Sequence, residues 1–222
     1  IKGFGKRSDF YEYIILSSGS VLLSILLYLG LYTWLRGQSA FDTVWSSFRQ
    51  TFLHGVIDAD QLLDIYHQWG LFKNFTAADQ LADFLIGQMK MTVPAVILIF
   101  SLIYGVVIFL ITRLVMKKLG FPVSAVLAFG DWTLPRGMAF GLIILLLISF
   151  LGGGLGIGNF EVIQYTITML IFFLFTVLGL SVLWFFLKAG RVPSVLCWLL
   201  AILAILMVGF ALPFLGLLDQ LI

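Results

Sequence analysis

The sequence predicts an all-α fold: a polytopic helical bundle that crosses a membrane. Hydrophobic residues make up 61% of the chain and charged residues 11%, whereas a soluble domain is about half apolar and about a quarter charged. Five apolar segments each approach the ~20 residues that a helix needs to cross a bilayer. These segments carry almost no ionisable groups. Helices are the expected spanning structure because lipid offers backbone polar groups no hydrogen-bond partners.

The five predicted spans cover residues 12–35, 93–116, 137–155, 162–187 and 192–218. If they alternate in direction, nine cationic residues collect on one side: Lys2, Lys6, Arg7, Arg113, Lys117, Lys118, Arg136, Lys188 and Arg191. The positive-inside rule then predicts a cytoplasmic amino end and a cytoplasmic 117–136 loop, with the 36–92 loop extracytoplasmic. Residues 1–222 are expected to form a single helical membrane domain whose carboxyl end lies outside.

The long 36–92 loop is predicted to contain three short amphipathic helices rather than a flexible linker. Apolar residues recur at helical spacing in three units: Phe41, Val44, Trp45, Phe48 and Phe52; Leu62, Leu63, Tyr66 and Trp69; Leu81, Phe84 and Leu85. One interpretation is that these helices pack at the outer membrane surface. The other is that they form a lid over a site that opens to the outside.

The residue pattern gives little indication of a metal site, a cofactor site or a catalytic site. His54, Asp58 and His67 lack the close His spacing of a helical zinc pair, and solvated faces of surface helices explain them better. Cys197 lies in an apolar run, and the spans contain no Ser/His/Asp or Cys/His set. We therefore expect no metal, no cofactor, no nucleic-acid partner and no enzymatic activity.

Polar residues near the outer ends of the last two spans are the candidates for ligand binding, since polar groups are costly in hydrocarbon. They are Asn159, Glu161, Gln164, Tyr165, Thr168 and Asp219. Together they could form an extracytoplasmic patch that binds a small polar ligand. Ordinary chemistry at the level of the lipid headgroups explains them equally well.

The stretch FGDWTLPRG, residues 129–137, places polar and aromatic residues between two apolar runs. Pro135 suits the first turn of a helix, and Asp131 or Thr133 can cap that helix. Trp132 is expected at the headgroup level, and Arg136 can extend to anionic lipid or pair with Asp131. The stretch is therefore predicted either to anchor the start of the third span or to dock a partner through Trp132 and Arg136.

This stretch, with the basic segment and LGFPV (119–123) before it, resembles the Phe-x-x-Trp-x-Leu-Pro-Arg segment of the YybS-like, DUF2232 family of bacterial membrane proteins. PFLGLLDQLI, residues 213–222, resembles the Leu-Gly-Leu-x-Asp ending of that family. The resemblance is strongest over residues 93–222. It implies a multi-pass protein of the bacterial cytoplasmic (inner) membrane, with further hydrophobic helices expected upstream of Ile1.

The family is similar in character to the substrate-binding S components of energy-coupling-factor vitamin transporters. That similarity favours a small-molecule binding or transport-related subunit, with the lipid bilayer, a small-molecule ligand and a transporter module as its partners. The alternative is a non-transporting scaffold or regulatory subunit that binds another membrane protein. A likeness of fold character does not decide between them.

Overall fold

The computed structural model describes residues 2–54, 59–121, 127–153 and 160–221, without the side chains of residues 2–9, 136 and 153. These ranges form α-helices and one short 3-10 helix, Phe129–Asp131, with no strand among them. The helices are α1 (Lys2–Arg36), α2 (Ala40–His54), α3 (Ala59–Gln68), α4 (Ala78–Lys118), α5 (Arg136–Gly153), α6 (Phe160–Ala189), α7 (Ser194–Val208) and α8 (Leu212–Leu221). The predicted all-α class is confirmed.

Three stretches among the described residues are long and apolar enough to cross a membrane: Phe10–Arg36 of α1, all of α4 and all of α6. They contain the predicted spans 12–35, 93–116 and 162–187, so the polytopic helical class is confirmed. The predicted 137–155 span falls on α5, whose apolar part, Gly137–Gly152, is shorter. At 1.5 Å per residue this part reaches ~24 Å, less than the ~30 Å hydrocarbon core. A full crossing by α5 remains a prediction.

The predicted span over 192–218 is not one continuous helix. Two helices occupy this region, and α7 and α8 meet at an angle of 107°. Pro213 explains the break, because it has no N–H to donate to the carbonyl of Gly209 and its ring would clash with that carbonyl. Pro213 is instead the second residue of α8, where an N–H would have no helical partner in any case.

Two of the three helices predicted in the 36–92 loop are present as α2 and α3. The third is not a separate helix, which corrects that prediction: its residues form the first turns of α4, which runs without interruption past Pro94 to Lys118. Gly87 lies inside this helix at a cost of about 1 kcal/mol relative to alanine, and proline is tolerated inside spanning helices. Gly87 and Pro94 therefore do not divide α4 into two helices.

Contacts between Cα atoms divide the chain into two compact units. The smaller, Ser20–Pro94, contains the end of α1, all of α2 and α3, and the start of α4. Arg49 of α2 pairs there with Asp79 at 3.0 Å and with Asp83 at 2.8 Å. Aromatic rings also contact one another across the turn after α3: Tyr66, Phe72, Phe75 and Phe84.

The larger unit joins Ile1–Gly19 to Ala95–Ile222, and α6 lies at its centre. The α6 residues Ile171, Phe175 and Leu178 form a buried cluster, against which α5 packs Leu142, Ile143 and Leu146. Glycines allow backbones to approach closely, as is usual between membrane helices. A Cβ atom on Gly179 would overlap the carbonyl of Leu212, and one on Gly105 would overlap Ser18 of α1.

Candidate functional site

The 129–137 segment packs against α6 through hydrogen bonds to its backbone. It begins with the 3-10 helix Phe129–Asp131. The hydroxyl of Ser181, which is 1% exposed, lies 2.7 Å from the carbonyl oxygen of Phe129 and 3.1 Å from that of Trp132. One buried hydroxyl of α6 therefore lies within hydrogen-bond distance of two carbonyl oxygens, and that of Phe129 also accepts the backbone N–H of Trp132 at 3.2 Å.

Two further side chains satisfy carbonyl groups of the same region. The hydroxyl of Tyr11, on α1, donates to the carbonyl of Thr133 at 2.5 Å. The indole Nε1–H of Trp132 donates to the carbonyl of Leu127 at 3.3 Å. Irregular backbone is tolerated at membrane depth only where protein groups bond it, and these contacts meet that condition.

A row of aromatic rings in contact extends from the 129–137 segment through α6 to α7. The ring of Trp132 lies 5.6 Å from that of Phe10 and 5.2 Å from that of Phe129. Phe129 contacts Trp184 of α6 at 5.8 Å, and Trp184 contacts Trp198 of α7 at 4.9 Å. These distances are typical of edge-to-face aromatic pairs, so Trp132 is part of a continuous row of aromatic rings.

The 129–137 segment lies beside the last turns of α6. It packs against Ser181 and against Phe185, whose Cα would lie 3.3 Å from a Cβ placed on Gly130. These α6 residues precede the helix end at Ala189 by four to eight positions, or ~6–12 Å along the axis. The segment therefore dips alongside the apolar part of α6 rather than lying beyond its end.

Two of the predicted anchor residues are placed directly by the backbone. Pro135 precedes the first residue of α5 instead of lying in its first turn, because its carbonyl accepts the N–H groups of Met138 and Ala139. Asp131 ends the 3-10 helix with an exposed side chain. The side chain of Arg136 lies outside the described residues. Docking of a partner through Trp132 and Arg136 stays a prediction.

An apolar cavity of about 310 Å³ lies beside Trp132. Residues of α1, α4, α5 and α6 line it together with the 129–137 segment: Phe10, Tyr11, Ile14, Ile15, Leu102, Ile103, Val106, Val107, Trp132, Leu134, Met138, Phe173, Leu174, Val177 and Leu178. Its two side chains with polar groups are Tyr11 and Trp132, and both donate to backbone carbonyls. The cavity therefore presents hydrocarbon to any occupant.

The structure places the described polar residues predicted to bind a ligand on two helices: Glu161, Gln164, Tyr165 and Thr168 share one face of α6, and Asp219 lies on α8. Asn159 lies outside the described residues, Glu161 is exposed, and Gln164, Tyr165 and Thr168 are partly buried along α6. Asp219 is exposed on α8 and accepts a hydrogen bond from the neighbouring Gln220 at 3.0 Å. Among the described members of this set, the structure shows no hydrogen bond from one to another.

Histidine and cysteine take part in local contacts. The Nε2 atom of His67 lies 3.2 Å from the carbonyl oxygen of Phe72, and the buried Cys197 thiol lies 3.5 Å from that of Val192. Within the described part of the chain, no three His, Cys, Asp or Glu residues lie close enough to hold a metal ion.

Sequence reasoning missed Ser181 and Tyr11. The available signal was that Ser181 interrupts a long apolar run in α6, and a polar group inside a span normally has a partner.

Comparison of this chain with known proteins shows which protein family it belongs to. Residues 2–220 match the model of the DUF2232 family, described as a predicted membrane protein. The match extends the resemblance in residues 93–222 over nearly the whole chain. The chain matches no curated protein and no solved structure. With a family model that covers residues 2–220, this chain belongs to the DUF2232 family of membrane proteins.

Proposed function

We propose that this protein is a membrane binding subunit whose cavity holds the hydrocarbon part of an amphipathic ligand. The observation that carries the proposal is the cavity beside Trp132, with its volume of about 310 Å³. Ligand pockets commonly enclose about 300–1,000 Å³ and are mostly apolar. Because Tyr11 and Trp132 already donate to carbonyls, the lining suits a chain of carbon atoms better than a polar group.

Because the cavity lies in a membrane protein, its affinity for a hydrocarbon chain would come mainly from packing. Lipid tails are as apolar as the cavity lining, so transfer of a hydrocarbon chain from the bilayer gains little from the hydrophobic effect. Packing against rings such as Phe10 and Phe173 would supply the preference for one chain shape over another. The polar end of the ligand would remain outside the cavity and add further selectivity.

This role agrees with the S-component-like character of the family resemblance. An S component captures a small molecule in a helical bundle and couples to a transporter module, and we propose binding of that kind rather than catalysis. The bacterial cytoplasmic membrane is the proposed location. The ligand differs from the small polar molecule expected from the sequence, because the apolar cavity and the polar residues of α6 are separate.

A photoreactive fatty acid tests the proposal. The full chain, purified in mild detergent, would be titrated with a fatty acid that carries a diazirine on its acyl chain and then irradiated. Peptide mass spectrometry should locate saturable labelling on cavity residues such as Val106 and Val177. Unlabelled fatty acid in excess should remove that labelling.

Two tryptophan substitutions on α6 provide the matched comparison. Val177 lines the cavity, so Val177→Trp should fill it and reduce labelling at least tenfold. Phe172 is exposed on the same helix, so Phe172→Trp should leave labelling unchanged. Labelling that never saturates, or that spreads evenly over exposed apolar residues in both variants, would contradict a defined binding cavity.

The second candidate is the non-transporting scaffold or regulatory subunit. It is favoured by the separation of Asp219, on α8, from Glu161 and Gln164, which lie one turn apart at the start of α6. Native mass spectrometry of the full-length protein separates the two roles. A retained amphipathic molecule would support ligand binding, whereas a retained protein with an empty cavity would support the scaffold.

A further inference from the structure

The direction of α8 relative to α6 is set by two close backbone contacts. A Cβ on Gly179 of α6 would overlap the carbonyl of Leu212, at the start of α8. A Cβ on Gly216, one turn later in α8, would overlap the carbonyl of Phe175, one turn earlier in α6. Leu217 continues the contact with the cluster of Ile171, Phe175 and Leu178. The two helices therefore run in opposite directions along their shared surface.

This arrangement sets the depth of Asp219. It follows Leu212 by seven positions, or ~10 Å along the axis of α8. If Leu212 is level with Gly179, then Asp219 is level with the part of α6 around Phe172. The midpoint of α6, Phe160–Ala189, falls between residues 174 and 175. If the hydrocarbon core, which spans ~20 helical residues, is centred on α6, this carboxylate lies near the middle of the core.

The surroundings of Asp219 do not neutralise its charge. Its side chain is exposed on the same face of α8 as four apolar side chains, those of Phe214, Leu215, Leu218 and Leu221. The amide of Gln220 donates to its Oδ2 atom. Among the described residues, the structure shows no Lys, Arg or His paired with this carboxylate. An ionisable group at this depth is costly unless it meets a partner.

We propose that the exposed face of α8, at whose edge Asp219 lies, docks a transmembrane helix of another protein that carries a Lys or Arg at the same depth. Charge complementarity identifies this partner, because such a residue would neutralise the carboxylate inside hydrocarbon. This docking surface is separate from the cavity and does not depend on its occupant.

A second copy of this chain fits the surface poorly. Its own Asp219 would bring a like charge, and its cations lie near the ends of the helices that could meet α8. In α6 the basic residue is Lys188, close to the end, and α7 and α8 contain none. The central part of α4 between Lys90 and Arg113 also has no cation.

The test uses synthetic transmembrane peptides as the probe. The chain would be reconstituted in phosphatidylcholine vesicles with a poly-leucine helix that carries one central Arg and a dansyl acceptor. Energy transfer from the tryptophans of the chain measures association. We expect the central-Arg peptide to associate at least tenfold more strongly than an all-leucine peptide. A peptide with the Arg moved two turns from the centre should lose most of that advantage.

Substitutions on the chain complete the test. Asp219→Asn should abolish the preference for the central-Arg peptide, and Asp219→Glu should keep most of it. Glu161→Gln removes an exposed carboxylate in the first turn of α6 and should change nothing. Tryptophan emission would verify that each variant is folded.

Three outcomes would overturn the proposal. The first is equal association of the Arg and leucine peptides with the unmodified chain, a result that needs no variant to fold. The second is an unchanged Arg preference in Asp219→Asn. The third is self-association of the chain through Asp219, seen as energy transfer between two labelled copies, which would assign the surface to a second copy.

Discussion

The two compact units use different polar interactions to join their helices. In the 20–94 unit, Arg49 pairs with the carboxylates of Asp79 and Asp83, whose side chains are 65% and 59% exposed. In the larger unit, the buried hydroxyl of Ser181 and the hydroxyl of Tyr11 donate to backbone carbonyls of the 129–137 segment. These contacts use full charges in the smaller unit and neutral donors in the larger one.

The difference reflects what surrounds each contact. Charged groups keep most of their hydration when exposed to water, so an exposed ion pair costs little to form and contributes little. Beside the apolar length of α6 a full charge would be costly, whereas a hydroxyl can satisfy a carbonyl without carrying a charge. The neutral contacts should therefore contribute more stability per interaction than the ion pairs.

The ion pairs should also be insensitive to pH near neutrality. The hydrogen bond to Asp79 is the main cause that raises the pKa of Arg49, and the charge of Asp83 adds to it. A raised pKa means that this contribution is complete below the ordinary arginine pKa and is lost only as pH rises through the higher, folded value. Between pH 6 and pH 9, roughly, arginine remains charged in both states.

The largest loss of stability should come from adding a side chain at a glycine where two helices of the larger unit are in close contact. Gly179→Ala places a carbon atom against the carbonyl of Leu212, and backbone atoms cannot move aside as a flexible side chain can. We expect a loss of about 3 kcal/mol, the upper part of the range for overpacking. Thermal unfolding in detergent, followed by circular dichroism, measures it.

Gly141→Ala is the matched control, because a Cβ there meets nothing within 4 Å. It should be neutral, or should stabilise α5 by up to about 1 kcal/mol. Equal thermal midpoints for the two alanine variants would mean that α6 and α8 are not in close contact.

The next largest effect should come from Ser181→Ala, which removes the hydroxyl donor from the carbonyl of Trp132, whereas the carbonyl of Phe129 keeps the backbone N–H of Trp132. A buried group left without its hydrogen bond costs about 1–3 kcal/mol. The control is Thr176→Ala on the same helix, whose hydroxyl bonds the carbonyl of Phe172 within α6. A loss in thermal stability at Thr176 as large as that at Ser181 would refute a special role for the buried hydroxyl.

A smaller effect is expected from Tyr11→Phe, which keeps the ring and removes one donor to Thr133. The expected loss is about 1 kcal/mol, typical of a single hydrogen bond. Tyr13→Phe, two positions along α1 at an exposed ring, should have no measurable effect. Denaturant titration in detergent would compare them, and identical midpoints would show that the Tyr11 hydroxyl is dispensable.

The smallest effect should follow Arg49→Gln in the 20–94 unit. We expect a shift in thermal midpoint smaller than that of Tyr11→Phe, because both carboxylate partners are exposed. Salt at about 1 M, where the screening length is ~3 Å, should reduce the shift further. A shift larger than that of Ser181→Ala, or one that salt leaves unchanged, would reverse the comparison between the units.

Local composition was enough to predict much of the fold. The apolar parts of α1, α4 and α6 follow from apolar length alone, and α2 and α3 follow from the spacing of their apolar residues. The direction of the chain after Val208 does not follow from such patterns, because α7 and α8 are both apolar. Pro213 was the available signal for the bend, and hydropathy carries no information about angle.

The candidate site was predictable only in part. The composition of residues 129–137 distinguished them from their surroundings, but their partner Ser181 lies 52 positions from Phe129 and Tyr11 lies 122 positions from Thr133. A single hydroxyl in an apolar run gives no indication of which carbonyl it will meet. The depth of Asp219 likewise depends on the bend before α8, so its sequence position suggested an outer end instead.

The aromatic row described above has an optical consequence. The six tryptophans of the chain divide equally between the units, with Trp132, Trp184 and Trp198 in the larger one. Trp184 and Trp198 are close enough, at 4.9 Å between ring centroids, for their electronic transitions to couple. That coupling should give the larger unit a near-ultraviolet circular dichroism signal of its own. The arrangement of α6 and α7 could then be followed during ligand or peptide titrations without any attached dye.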